Sequence, residues 1–108
     1  MYHTYGMKNL STASLYILRC TEEERHGYEI MQTITELSEG SVSVGPATLY
    51  TTLQRLLDQG LITQTREQVT HNGRVRRYYK ITASGIRCLD SELEKLHHLL
   101  ILKPRESK

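Results

Sequence analysis

The triplet His71-Asn72-Gly73 separates two stretches, residues 61–70 and 74–81, that are rich in Thr, Val, Ile and Tyr. Asn-Gly between two such arms is the strongest short-range signal for a β-hairpin, because a two-residue type I′ turn needs positive φ twice. With Asn72 and Gly73 as that loop, Val75, Arg77, Tyr79 and Ile81 share one face of the second arm. Arg74, Arg76, Tyr78 and Lys80 share the other. Ile81 is expected to pair near Ile62 at the core end of the hairpin, leaving the tip in water.

Upstream the pattern is helical. Residues 10–20 are apolar at Leu10, Ala13, Leu15, Tyr16, Ile17, Leu18 and Cys20. A helix apolar on so many sides is covered on more than one of them, and in a chain of 108 residues the second cover is expected from another subunit. Glu22-Glu23-Glu24-Arg25 breaks the pattern. A second helix follows over 27–37, with Ile30, Ile34 and Leu37 on one stripe, Met31 at its edge and Tyr28 opposite. Gly40 closes it. Gly45 and Pro46 suit the N-cap and first turn of a third helix over 46–59, ended by Gly60. Its buried stripe is Leu49, Leu53, Leu56 and Leu57; the opposite face carries Ala47, Thr48, Thr51, Gln54, Arg55 and Asp58.

After the hairpin, Thr82 is placed to cap a last helix over 83–102. Ile86, Leu89, Leu93, Leu96 and Leu100 are spaced 3, 4, 3, 4, the a/d seam of a helix pair. The fold class is therefore mainly α with a β-hairpin: a winged helix-turn-helix with a C-terminal dimerisation helix. The expected organisation is a winged-helix domain over 1–81, the dimerisation helix over 82–102 and a frayed polar tail over 103–108.

Charge distribution points to a partner. Residues 21–40 hold six Glu against one Arg, whereas residues 61–80 hold four Arg and one Lys against one Glu, so a net charge of +2 conceals an acidic segment and a basic one. A basic element beside an outward helix is the footprint of a nucleic-acid surface. The major groove accepts one α-helix and reads it through its N-terminal exposed side chains. Here those are Ala47, Thr48 and Thr51, with Gln54 and Arg55 able to bond adenine and guanine edges. On the wing, Arg74, Arg76, Arg77 and Lys80 are set to neutralise phosphates, with Glu67 across the hairpin placed to hold one of them instead. Tyr28 and Tyr50, at the edges of their helices, either bond phosphates or pack. The expected partner is double-stranded DNA with a palindromic operator, bound by a homodimer. The competing reading is a winged helix used for protein–protein contact without DNA, although such a face ordinarily carries exposed apolar anchors.

Other classes are disfavoured. No glycine-rich phosphate loop or obvious acid pair suggests an enzyme, and no cofactor or metal is expected. His97 and His98 diverge by about 100° on a helix and do not converge on one ion as i and i+4 would. His26 is read as structural. Cys20 and Cys88 sit in apolar helical surroundings and read as buried thiols, with a redox pair as the alternative. No apolar run is long enough to cross a bilayer, and the N-terminus lacks the layout of a signal peptide, so a cytoplasmic location with no membrane partner is expected.

The segments HGYEIMQTI, GPATLYTTLQRLLDQGLI and NGRVRRYYKIT, followed by Gly85, resemble the PadR family of bacterial transcriptional regulators, over roughly residues 10–100. The resemblance implies a winged helix with a dimerising last helix, usually a repressor, and the short chain is similar to the subfamily with a single helix after the wing. It implies DNA contacts at Tyr28, Thr48, Tyr50, Thr51, Gln54, Gly73, Arg74 and Arg76. It also implies a dimer interface made by Leu10, Ser14 and Ile17 of the first helix with Ile86, Leu89, Leu93, Leu96 and Leu100 of the last. Some small members bind planar aromatic compounds there, stacked on a tryptophan. This chain has no Trp and no Phe, and Leu96 falls near that position. The remaining lining suits an apolar small-molecule effector and a dry dimer core alike.

Overall fold

The computed structural model describes residues 10–102. Along the chain run α1 (Thr12–Cys20), β1 (Arg25–His26), α2 (Gly27–Leu37), α3 (Pro46–Asp58), β2 (Ile62–Val69), β3 (Val75–Ile81) and α4 (Ala83–Leu100). This is the expected winged helix-turn-helix with a long helix after the wing. His3 and the polar tail expected over 103–108 lie outside the described residues.

Local chemistry sets the boundaries. Ser11 caps α1, its Oγ accepting from the Ser14 N–H at 3.1 Å. His26 caps α2 in a reciprocal box: Nδ1 accepts from the Glu29 N–H at 3.3 Å, and the Glu29 carboxylate accepts from the His26 N–H at 3.0 Å. After α2 the Gly40 N–H returns to the Thr35 carbonyl at 2.8 Å. Pro46 opens α3 at a position that needs no donor. Thr82 caps α4, accepting from the Gly85 N–H at 3.0 Å.

The core is centred on α1. Ile17, Leu18 and Cys20 pack with Ile30 and Ile34 of α2, Leu49, Leu53 and Leu56 of α3, and Ile62, Tyr79, Ile81 and Leu89. Because α1 touches α2, α3 and α4, the second cover expected from another subunit comes from the chain's own helices. Ser14, Ile17 and Leu89, expected at the dimer interface, are 3%, 0% and 1% exposed within the protomer and belong to its interior. Apolar spacing records that a residue is buried, not by which chain. Leu37, expected in the buried stripe of α2, is exposed at the last residue of that helix. From Leu93 to Leu102 every residue of the last helix and its end is exposed.

The wing differs from expectation at its loop. The Thr70 N–H donates to the Arg74 carbonyl at 2.8 Å and the Gly73 N–H to the Thr70 carbonyl at 2.9 Å, so three residues, 71–73, close the hairpin. Only Gly73 adopts positive φ, at 85°, and Asn72 does not. A three-residue loop ending on a left-handed glycine replaces the type I′ turn. A bulge between Gln64 and Arg66 then shifts the register and sets Ile62 opposite Ile81, as expected. The sheet order is β1-β3-β2. Arg25, the last residue of the charged break, and His26 thus form a third strand, Arg25 opposite Tyr79 and His26 opposite Tyr78.

The start of α4 is pressed against Leu61, the residue that leads into β2, and against Ile81 of β3. The Leu61 carbonyl accepts from the Thr82 N–H at 3.0 Å, and a Cβ on Gly85 would overlap that oxygen and Ile81 Cγ1. Helix propensity alone favours Ala over Gly by about 1 kcal/mol. The overlap reverses the sign: Gly85→Ala is expected to lose about 2 kcal/mol, measured as a lower urea midpoint with unchanged slope. A midpoint at or above wild type would show that α4 lifts from Leu61 and Ile81 without cost.

Candidate nucleic-acid interface

Once Leu49, Leu53 and Leu56 are committed to the core, the geometry of α3 decides what faces outward. Ala47, Thr48, Tyr50, Thr51, Gln54 and Arg55 are all exposed. Thr52, the one threonine turned inward, is satisfied by donating its hydroxyl to the Thr48 carbonyl at 2.7 Å. Gln54 donates to Asp58 at 2.9 Å along the same exposed surface. On one flank, Ala47, Thr48, Thr51 and Arg55 form a shallow concavity with Ser11 and Ala13 at the start of α1. On the other, Tyr50 shares a groove with Gly27 and Tyr28 of α2 and with Arg74, Val75, Arg76 and Arg77 at the wing. The groove thereby joins the outward helix, the start of α2 and the basic strand.

The wing cations divide into two groups. Arg77 is held by Glu67 at 3.1 Å across the hairpin, the pairing expected from the sequence. Lys80 lies at the base of the wing and donates to the Glu22 carbonyl at 3.1 Å. It is exposed and carries no acidic partner among the described residues. Among the described residues no acidic side chain pairs with Arg74 or Arg76. These two, with Gly73 at the exposed tip, remain available to an anionic partner.

Sequence reasoning missed the network that holds the wing to the body. Glu24 accepts from the Thr65 hydroxyl and from Arg66 Nε, the latter at 3.1 Å. The Arg66 guanidinium lies 3.7 Å over the Tyr78 ring. Tyr78 in turn meets the His26 ring edge-on at 5.3 Å and donates its hydroxyl to Gln68 at 2.8 Å. The bulge beside Thr65 supplies the local change of register that this arrangement uses. The signal was present in the opposed charges of residues 21–40 and 61–80, but nothing in the spacing said which acid would meet which base.

Titration follows from these contacts. The Thr65 hydroxyl and the Arg66 guanidinium hold the Glu24 carboxyl below its usual range. Burial lowers the His26 pKa, helped by Arg76 and Arg66 and opposed by Glu29. The neutral imidazole is the form whose Nδ1 can cap α2. Both cysteines are free; burial pushes the Cys20 thiol up to about 11 and raises Cys88, so both stay protonated near neutrality. Among the described residues no group of His, Cys, Asp and Glu is placed to hold a metal, and no described helix is long and apolar enough to cross a membrane.

Residues 15–91 match the model of the transcriptional regulator PadR-like family. The chain belongs to that family. The transcriptional regulator Rv3488 of Mycobacterium tuberculosis is 38% identical over 86 residues, 79% of this chain and 76% of that protein. A PadR family regulator from Eggerthella lenta superposes with a TM-score of 0.70 at 26% identity, covering 82% of this chain and 75% of its own. The fold is also that of Bacillus subtilis PadR, solved in complex with operator DNA, at a TM-score of 0.61 and 24% identity over 90% of this chain and 51% of that one. The protein is thus a transcriptional regulator of the PadR type, built as a winged helix.

His26 and Glu24 shift stability in the same direction with pH. His26 binds a proton more readily unfolded than folded, so stability falls as pH drops below its unfolded value of about 6.5. Glu24 repeats this as pH drops below about 4.5, its contribution being complete above that value. Thermal midpoints from neutral to acid pH should decline in two stages, and Glu24→Gln should abolish the lower one. A lower stage unchanged in Glu24→Gln would remove the Glu24 network from wing anchoring.

Proposed function

We propose that the protein is a homodimer that binds a palindromic double-stranded operator and represses transcription. In this reading α3 enters the major groove, with Thr48, Thr51, Gln54 and Arg55 facing base edges and Ala47 close to the groove floor. Gly73, Arg74 and Arg76 at the wing tip meet the flanking backbone or minor groove, and Tyr28 and Tyr50 offer hydroxyls to phosphates between them. The observation that carries it is the groove in which Tyr50 of the outward helix and the acid-free cations Arg74 and Arg76 lie together. The same winged-helix fold in Bacillus subtilis PadR has been solved with operator DNA. Repression is the mode that the family resemblance implies.

The pairing element in this proposal is α4. Ile86, Leu93, Leu96 and Leu100 are exposed along one helix, a surface that a soluble monomer rarely leaves open. Half-buried Leu10 at the start of α1 extends the apolar surface. A second copy covering the leucines would present two reading heads, as successive major grooves about 34 Å apart require. An apolar effector entering this seam would change the separation of the heads and so the affinity for DNA.

Phosphate contacts release counterions, so affinity should fall steeply with salt. Replacing Arg74 and Arg76 together by Ala is expected to weaken binding to every duplex and to flatten the log–log salt slope by about 2. Fluorescence anisotropy at several salt concentrations reads both. Unchanged affinity would remove the wing from the mechanism, and a wild-type interaction that is absent or indifferent to salt would favour a protein partner. Leu93→Asp should sediment as a monomer and lose about a hundredfold or more in operator affinity, since two linked heads become one. Continued sedimentation as a dimer would show that α4 is not the pairing element.

A further inference from the structure

The groove shared by α2, α3 and the wing has one wall with no side chain. Gly27 opens α2, and its backbone does not need glycine, since it is absent from the residues with positive φ. Space is what requires it. A Cβ at Gly27 would stand 2.5 Å from Tyr50 Oη, 3.0 Å from Cζ and 3.2 Å from Cε1. The end of the Tyr50 phenol therefore rests directly on the bare first turn of α2. Tyr79 of β3 lines the same groove. Its pKa is raised, chiefly by burial and then by the neighbouring Tyr50 hydroxyl. Tyr50 as a residue is nonetheless 51% exposed, so the side chain whose end rests on α2 is not shut away from the groove.

We infer that Gly27 is a positioning residue for DNA binding: its bare Cα seats the Tyr50 hydroxyl in the groove lined by Arg74 and Arg76, where one phosphate meets both kinds of donor. This rests on the DNA-binding reading and adds to it a reason for glycine at this point of the chain. Arginines on a wing act over a distance, whereas a hydroxyl must be aimed. Without the seat, Tyr50 would sample other rotamers over an exposed surface and its hydrogen bond would have to be formed at an entropic cost.

The obstructing atom is the far end of a half-exposed side chain, so Ala at position 27 displaces the ring and leaves the fold intact. Alanine also suits a helix better than glycine. Gly27→Ala should therefore keep or raise the thermal midpoint while lowering affinity for a duplex recovered by the wild type from a random pool, by about tenfold. In a Tyr50→Phe background the same substitution should cost almost nothing further, because the group it displaces is gone. A fluorotyrosine placed at position 50 should change its ¹⁹F shift on Gly27→Ala in the absence of DNA. Should Gly27→Ala lower the midpoint, it is expected not to do so in a Tyr50→Ala chain, where all three obstructing atoms are gone. Wild-type affinity in Gly27→Ala, an equal loss in the Tyr50→Phe background, an unmoved resonance or a midpoint lowered equally in the Tyr50→Ala chain would each overturn the role of Gly27 alone. A wild-type chain that binds no duplex would overturn the DNA reading, and this role with it.

Discussion

The packing of one leucine stripe constrains everything else in this molecule. Leu49, Leu53 and Leu56 of α3 are buried against α1 and α2, each contributing about 1.5–3 kcal/mol by leaving water. With that side fixed, helical geometry turns Thr48, Thr51, Gln54 and Arg55 outward. The outward polar face is thus a consequence of the core. Rotation of α3 by one residue would expose leucine and bury threonine, at a cost that a domain of marginal stability could not sustain.

The wing depends on a second, more polar constraint. Its strands end in the core at Ile62 and Ile81, and the Ile81 N–H donates to the Thr21 carbonyl at 2.7 Å. Farther out, Glu24, Thr65, Arg66, Tyr78 and His26 form a continuous chain of contacts to the cap of α2. The acidic segment of the chain thereby holds part of the basic one. Arg66 and Arg77 are paired with Glu24 and Glu67, which leaves Arg74 and Arg76 as the wing-tip cations without an acidic partner among the described residues. A wing anchored in this way presents those two cations at a fixed offset from α3.

The parts of the fold legible in the sequence are those with repeated patterns. The period of α3, the alternation of β3 and the Asn-Gly tip located the helix-turn-helix and the wing, and motif resemblance placed them in a family that the match over residues 15–91 establishes. What escaped had no period. β1 is two residues long and sits in a segment that reads as charged and broken. Asn72 signals a turn without selecting between a two- and a three-residue loop, and the bulge at Thr65 has no glycine to announce it. Leu89 reads as part of a subunit seam because burial by a neighbour and burial by one's own helices leave the same apolar signature, and Ser14 and Ile17 enter that contact only through the family resemblance.

Selection of bound duplexes from a random pool by the wild-type protein tests the central claim most directly, because one readout reports recognition and symmetry together. A threonine-faced helix beside a basic wing, presented twice, should enrich an inverted repeat whose half-sites lie about one helical turn, 34–36 Å, apart. Recovery of no sequence above the starting pool, or of a single site without dyad symmetry, would contradict it.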